Sequence, residues 1–274
     1  MKPVSLVDLI APIRPGTLLA IPPDYSGVSI AATRALITRG TGGLRLVAVP
    51  TSGLQADLLI GAGLVDELEA AAVLLGELGP APRFAAAVTS GKLRMKDTTC
   101  PALHAALQAS EKGVPFMPLR GLIGSDVQKN RPDWKLADNP FAPDGTRDPI
   151  VLLPAIRPDV ALFHATKADR EGNVWIGRRR ELVTMAHAAK ETIVTVEEIV
   201  DGSLLADEAT AAGVLPSLYV SAIAEAKNGA RPLGLQDLYA VDDGAIARYA
   251  EAARTEAGFR EWLDRFMDER RAAA

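Results

Sequence analysis

Pro115-Phe116-Met117-Pro118-Leu119-Arg120-Gly121-Leu122-Ile123-Gly124-Ser125-Asp126 is the stretch on which the fold of this 274-residue chain turns. It begins as an apolar run, stiffened by two prolines and too short for a helix. It then opens into a loop with two glycines, a hydroxyl and a carboxylate. In an α/β sheet, this is how the carboxyl end of a strand presents backbone N–H groups to a ligand. A buried strand followed by an ordinary turn would carry the same pattern.

Upstream, the alternation of strand, small polar loop and helix repeats. Ser5 can cap a short helix over Val4 to Ile10, closed by Pro12 and the Arg14-Pro15-Gly16 turn. Leu18 to Ile21 reads as a buried strand. Its loop, Pro22-Pro23-Asp24-Tyr25-Ser26-Gly27-Val28-Ser29, leads into a helix over Ile30 to Arg39, with Ser26 or Ser29 as its cap. Leu44 to Val49 is the next strand, and Pro50-Thr51-Ser52-Gly53 precedes a helix over Leu54 to Leu59. Gly61-Ala62-Gly63 looks like the start of a dinucleotide fingerprint, but Asp66 stands where the third glycine belongs, so a tight turn is expected. Val65 to Leu75 suggests a strand, and Phe84 to Val88 is ambiguous. Thr99 to Lys112 reads as a helix with Pro101 in its first turn and Gly113 at its end.

Downstream, residues 128–147 carry four turn signals and predict a long irregular surface excursion. Ile150 to Leu153, Val160 to Ala165, Val174 to Ile176 and Thr192 to Val196 are strands, and Glu181 to Lys190 is a helix. Asp169 to Asn173 has the composition of a tight turn. Leu215 to Val220, with Ile223, predicts a strand and turn that Pro216 places at a sheet edge. Helical spacings run from Ala245 to Ala273 and predict a C-terminal helical region that packs on the sheet or on a partner. The whole predicts a single α/β domain over 1–274, with an open, mostly parallel sheet and flanking helices.

Composition narrows the function. Hydrophobic residues make up 48% of the chain, and the formal net charge of -4 with interspersed signs gives no basic face for nucleic acid. No apolar run is long enough to span a bilayer and no signal-type N-terminus is present, so a cytoplasmic protein is expected. The single cysteine, Cys100, and three scattered histidines exclude a disulfide framework and the common zinc spacings, and no metal is expected. Cys100 could be a nucleophile, but at a helix start beside apolar residues a buried small hydrophobe is the expectation. Glu197 and Glu198, at a strand end, could serve acid/base chemistry or simply accept backbone hydrogen bonds.

In order along the chain, Arg14-Pro15-Gly16-Thr17, the Gly-Ala-Gly turn, Pro115–Asp126, Lys167–Asn173 and Thr195-Val196-Glu197-Glu198-Ile199-Val200 resemble the A (alpha) subunit of class I coenzyme A transferases, of the glutaconate CoA-transferase type. The Lys167–Asn173 element is similar to the Asp-x-x-Gly-Asn signature of these subunits. The resemblance implies an open α/β fold related to sugar-phosphate isomerases. It also implies a homologous B subunit, in a heterodimer or heterotetramer, and transfer of CoA from an acyl-CoA to a carboxylic acid. A glutamate attacks the thioester, giving an acyl-glutamyl anhydride and then a glutamyl-CoA thioester. That glutamate is expected on the B chain, so no catalytic nucleophile is assigned here. No permanently bound cofactor is implied; the coenzyme A thioester is a substrate.

For this chain the resemblance implies a wall of the acyl pocket. Gly121, Gly124 and Ser125 come first, with Ser26, Gly27, Ser52 and Gly53 from the earlier loops, and Arg120 is placed to meet a carboxylate or to form a structural ion pair. The Ile21-Pro22-Pro23-Asp24-Tyr25 segment departs from the Gly-Gly-Phe element of acetate and oxoacid CoA-transferases. A hydrolase branch of the same scaffold opens carbocyclic rings of CoA thioesters; Asp97-Thr98-Thr99-Cys100 is the nearest segment to its acid or base and offers no glutamate. A non-catalytic module that binds a small carboxylate is a third expectation.

Overall fold

The structure is a computed structural model and describes residues 3–268. Helices are α1 (Leu6–Leu9), α2 (Ile30–Arg39), α3 (Leu54–Gly61), α4 (Pro82–Thr89), α5 (Cys100–Glu111), α6 (Asp126–Lys129), α7 (Arg180–Ala188), α8 (Glu208–Ala211), α9 (Asp243–Ala252) and α10 (Glu256–Asp268). The strands fall first into an N-terminal series: β1 (Leu18–Ile21), β2 (Leu44–Ala48), β3 (Thr51–Ser52), β4 (Val65–Ala70), β5 (Ala72–Val73) and β6 (Arg94–Asp97). Then come β7 (Phe116–Leu119), β8 (Lys135–Asp138), β9 (Pro149–Pro154), β10 (Val160–Asp169), β11 (Val174–Trp175), β12 (Glu191–Val200), β13 (Val214–Leu215) and β14 (Ala222–Glu225).

The main sheet runs β14-β12-β10-β1-β2-β4-β6, and every pairing along that path is parallel. Antiparallel β11 extends from the end of β10 and carries β13 at the edge. Both faces are covered, which is why the strands read as near-continuous apolar runs. Leu19, Ile21 and Leu46 face one core with Leu36 of α2, Leu58 of α3 and Phe259 of α10. The intervening Ala20 and Val47 face the other core with Leu103 of α5 and Met185 of α7. From β1 the chain winds outward through β2, β4 and β6, then returns to lay β10 on the far side of β1. The β1/β10 boundary is therefore the topological switch point, where such sheets open a crevice at their carboxyl edge.

The opening stretch does not join this sheet. Its strand, β7, pairs antiparallel with β9 in a separate three-stranded sheet, β7-β9-β8, so the expectation of a parallel strand there is corrected. The reason is α5, whose second face (Ala102, Ala105, Ala106) needs cover and receives Trp134, Val151 and Leu153 from the small sheet. Arg131 ties the two sheets together. It is 4% exposed and donates to Glu69 of β4 at 2.7 Å, to the Asp97 carbonyl at 2.9 Å and to Asp133 at 2.8 Å, with Trp134 stacked 4.5 Å away.

Other boundaries differ from those the sequence predicts. The 128–147 excursion contains β8, and 84–88 lies inside α4, whose Pro82 occupies its first turn. The strand expected over 65–75 splits into β4 and β5. The expected C-terminal helical region is two helices, α10 starting after Thr255, whose hydroxyl accepts Gly258 N–H at 3.1 Å; residues 269–273 of that expectation lie outside the described residues. Cys100 is exposed rather than buried. Tyr249 of α9 anchors the helical pair by donating at 2.6 Å to Asp57, buried in α3. Asp57 also accepts Phe84 N–H at 2.6 Å and Arg83 N–H at 3.2 Å, capping α4 from outside.

Candidate functional site

At the switch point, the loop after β1 makes one wall of a cleft of about 900 Å³. Asp24, Tyr25 and Ser26 face Arg179 and Glu181 at the start of α7, and residues 234–241 close the third side. Arg179 donates to the Tyr25 carbonyl at 3.0 Å and to Gln236, fastening all three walls together. Ser26 is fully buried and donates to Glu181. Gly27 sits where only glycine fits: its φ is +78° and an added Cβ would lie 2.1 Å from the His164 carbonyl oxygen.

Asp24 reaches from this loop to the start of α3, where its Oδ2 accepts Leu54 N–H at 2.9 Å. Gly53 leaves room for that carboxylate, because a Cβ there would stand 2.2 Å from Oδ2. The other oxygen, Asp24 Oδ1, is buried with no hydrogen-bond partner, and so is the hydroxyl of Ser52, a residue only 3% exposed. Burial pushes the Asp24 carboxyl up to about 6, against the pull of the Leu54 and Gly53 N–H groups, with Asp57 nearby adding to the rise.

Glu197, at the end of β12, is held differently. Its Oε1 accepts from Tyr239 Oη at 2.6 Å and Gly229 N–H at 3.0 Å and pairs with His164 Nε2 at 2.8 Å; Oε2 accepts Asn228 N–H at 2.7 Å. His164 Nδ1 meets Thr195 Oγ1 at 2.8 Å, and Thr195 meets Ser29 at 2.6 Å. Burial resists ionisation of Glu197, but the hydrogen bonds from His164 and Tyr239, then Asn228 N–H and the His164 charge, outweigh it and lower the carboxyl to about 2. Tyr239 is raised by burial and by the carboxylate it serves. A carboxylate surrounded by donors in this way positions the 226–239 segment; it is poorly disposed to attack. Glu198, next in the strand, is exposed. A second cleft, of about 660 Å³, opens beside this pair and shares Gln236, Asp237 and Leu238 with the first.

The glycine loop of the opening stretch lies apart, on the small sheet. Gly121 and Gly124 have φ of +93° and +78° with open space around them, and Ser125 caps α6 by accepting Gln128 N–H at 3.2 Å. Arg120 is exposed and pairs through both terminal nitrogens with Asp148, its Nη2 at 2.7 Å from Oδ2. The structure thus puts Ser26 on the cleft wall, buries Gly27, Ser52 and Gly53 in the segments that follow β1 and β2, and keeps Arg120, Gly121, Gly124 and Ser125 together beside the second sheet. Of Lys167–Asn173, the first three residues end β10 and the turn expected over Asp169 to Asn173 follows: Asp169 accepts Glu171 and Asn173 N–H groups at 3.0 and 2.9 Å, and Leu204 N–H at 3.0 Å. Asp24, Glu181, Arg179 and Tyr239 are not singled out by sequence. For Asp24, a lone acid between two prolines and an aromatic at a strand end is the available signal; the others depend on partners far away in the chain.

Among the described residues no group of three or more His, Cys, Asp or Glu side chains is placed to hold a metal ion, and no helix is long and apolar enough to cross a membrane.

Comparison with known proteins adds the following. The sequence profile of the family described as Coenzyme A transferase matches residues 6–226. The A subunit of the 3-oxoadipate CoA-transferase of Pseudomonas knackmussii is 34% identical over 247 residues, covering 88% of this chain and 84% of that one. Glutaconate coenzyme A-transferase from Acidaminococcus fermentans superposes with a TM-score of 0.85 at 27% identity, covering 97% of this chain and 89% of the other. A cysteine-to-serine variant of the decarboxylase AibA/AibB gives 0.83 at 30% identity, covering 97% and 98%. Against an uncharacterized protein of Archaeoglobus fulgidus, 33% identical over 88% of this chain, the chain spans only 53% of the relative's length.

Proposed function

The chain belongs to the coenzyme A transferase family, and from that premise we propose that it is the A subunit of a heteromeric CoA-transferase, moving CoA from an acyl-CoA to a carboxylic acid. The near-full-length likeness to the A chain of a 3-oxoadipate CoA-transferase carries the reading. The partner is a homologous B subunit in the cytoplasm, with acyl-CoA and a carboxylic acid as substrates. The nucleophilic glutamate is the partner's. Its attack on the thioester carbonyl expels CoA thiolate and leaves an acyl-glutamyl anhydride. The thiolate then attacks the glutamyl carbonyl, releasing the first acid and leaving glutamyl-CoA, and a second acid enters by the reverse steps.

This chain's part is to bind and orient. Ser26 stands on the cleft wall, with Gly27, Ser52 and Gly53 shaping the loops that support it, and Arg120, Gly121, Gly124 and Ser125 present a guanidinium and turn amides from the small sheet. That Glu197 has its oxygens committed to internal donors supports looking for the nucleophile on the partner. The likeness to a decarboxylase chain along nearly its whole length favours a second reading, in which the same scaffold works on an acyl-CoA without an acceptor acid.

The test is co-expression with a B-type chain and incubation with succinyl-CoA, with and without 3-oxoadipate or glutaconate. A new acyl-CoA that forms only with the acceptor, and only with both chains, is the expected result. CoA release in water alone would replace transfer by hydrolysis, and loss of carbon dioxide from an intact thioester would replace it by decarboxylation.

A further inference from the structure

Away from the switch-point cleft, a pocket of about 690 Å³ opens between α2, α9, α10 and the Arg231-Pro232 segment. Four guanidinium groups line it, from Arg34 of α2, Arg231, Arg248 of α9 and Arg265 of α10, against two carboxylates, Asp242 and Glu251. That excess of cations runs against a chain whose net charge is -4. The acids are engaged elsewhere. Asp242 Oδ1 caps α9 by accepting Ala245 N–H at 2.8 Å, and Glu251 Oε2 pairs with Arg254 at 3.2 Å. Of the cations, Arg265 pairs with Glu261 at 3.4 Å. Neither Arg231 nor Arg248 has a carboxylate within ion-pair distance among the described residues. Arg231 Nε donates to the uncharged Asn228 Oδ1 at 3.3 Å, and Arg248 has no hydrogen-bond partner among them.

These two side chains are exposed and line the pocket, so their donors reach whatever enters it. Arg231 is held with its guanidinium 4.6 Å over the Tyr239 ring. Arg248 lies over the first turn of α9, where Gly244 makes room for it: an added Cβ there would stand 3.2 Å from Nη1. The floor is apolar and packed. Phe266 is buried and stacks on Trp262 at 4.6 Å, with the Arg34 guanidinium 3.5 Å above the Phe266 ring. An arginine fork takes phosphate oxygens two at a time. A phosphate monoester brings three acceptor oxygens and about two negative charges, one for each guanidinium that lacks a carboxylate. A carboxylate ligand would bring one charge and leave the other guanidinium unmatched. Trp262, in the same lining, offers a flat surface to the organic part of the ester.

We propose that this pocket binds a phosphate ester between Arg231 and Arg248. The site lies outside the transferase reading and does not rest on it. Two sources carry the group: the phosphorylated adenosine end of CoA, and a free nucleotide. One loop joins the pocket to the switch-point cleft. From Pro232 the chain runs along the third side of that cleft and returns at Asp242, whose N–H donates to the Pro232 carbonyl at 2.9 Å. Tyr239, beneath Arg231, donates at 2.6 Å to Glu197. A ligand on Arg231 therefore bears on the wall of the cleft.

The experiment is calorimetric titration of the full chain, alone and in the A–B complex, with ADP, with 3′-phosphoadenosine 5′-diphosphate, and with adenosine as the uncharged control. Wild type is expected to bind at least one of the two esters with a dissociation constant below ~1 mM, more weakly as salt is raised, and adenosine at least about tenfold more weakly. Arg248→Ala removes a side chain without an internal partner, so it should melt with wild type and bind the ester about tenfold more weakly. Arg248→Lys keeps the charge but loses the fork, and should recover part of that loss. CoA that displaces the bound ester, and is itself weakened about tenfold by Arg248→Ala, identifies the source as CoA. Ester and CoA bound together identify a free nucleotide, and either result supports the site. No saturable binding of either ester by ~10 mM, adenosine bound as tightly as the esters, or unchanged binding in Arg248→Ala overturns the proposal. The contrast between ester and adenosine is read on wild type, so the proposal stays falsifiable if a variant fails to fold. Turnover enters none of these readouts, so their failure leaves the transferase reading to the acceptor assay.

Discussion

Replacing Glu197 by glutamine removes the negative charge on which His164, Tyr239 and the Asn228 and Gly229 amides converge. The amide that takes its place points two N–H donors into a ring of donors. Lowering a carboxyl from 4.5 to about 2 corresponds to a ceiling of ~3 kcal/mol, and screening at the cleft mouth brings it to ~2 kcal/mol. Because the folded-state pKa lies below the unfolded one, this stabilisation is complete above pH 4.5 and is lost as the pH falls towards 2. Wild type should therefore melt about 4–8 °C above Glu197→Gln at pH 7, with the gap closing between about pH 4.5 and 2. Paired thermal melts at pH 7, 5, 4 and 3 make the measurement. A gap that stays constant down to pH 3, or no gap at pH 7, would refute the account of Glu197 as a charged anchor for the 226–239 segment.

Tyr249→Phe should cost about 1–3 kcal/mol by withdrawing the hydroxyl from buried Asp57, read as a lower urea midpoint at unchanged slope. Gly27→Ala places a Cβ against the His164 carbonyl at a positive φ and should destabilise by more than ~2 kcal/mol, seen as loss of soluble, cooperatively melting protein. Arg120→Ala removes only an exposed pair with Asp148, so stability should move by less than ~0.5 kcal/mol, while KM for the carboxylic acid rises about tenfold in the A–B complex. An unchanged KM would take the glycine loop out of the acid-binding surface.

The parallel strands were legible because a sheet covered on both faces leaves an unbroken apolar run, as in Leu18–Ile21 and Val160–Ala165. Caps were legible in part: Ser5 accepts an N–H group in the first turn of its helix, and of the two candidates before α2 it is Ser29 that does so, whereas Thr99, read as the first helical residue, is the cap of α5. Lys135–Asp138 was not, since a four-residue strand with Lys135, Leu136 and Asp138 exposed has no burial pattern to print. The sheet to which Phe116–Leu119 belongs was hidden for another reason. Parallel and antiparallel pairing look alike in a short apolar run, and the choice rests on cover for the second face of α5. In the site, the small loops after β1 and β2 could be read from Ser-Gly pairs, whereas the ring around Glu197 joins residues 31 to 42 positions apart and leaves no local trace.

The bond between Asp57 and Tyr249 spans 192 residues. At about 5–20 residues per second, the ribosome needs roughly 10–40 s to supply the second partner once the first has been made. Throughout that interval the nascent chain holds an acid whose final environment does not yet exist, so α3 cannot settle into its finished packing beneath α9. Completion of the N-terminal half thus waits on the last helices to be synthesised, and a chain that stops short of Tyr249 keeps the buried Asp57 carboxyl on its two α4 amides alone, without the hydroxyl that ties it to the C-terminal helices.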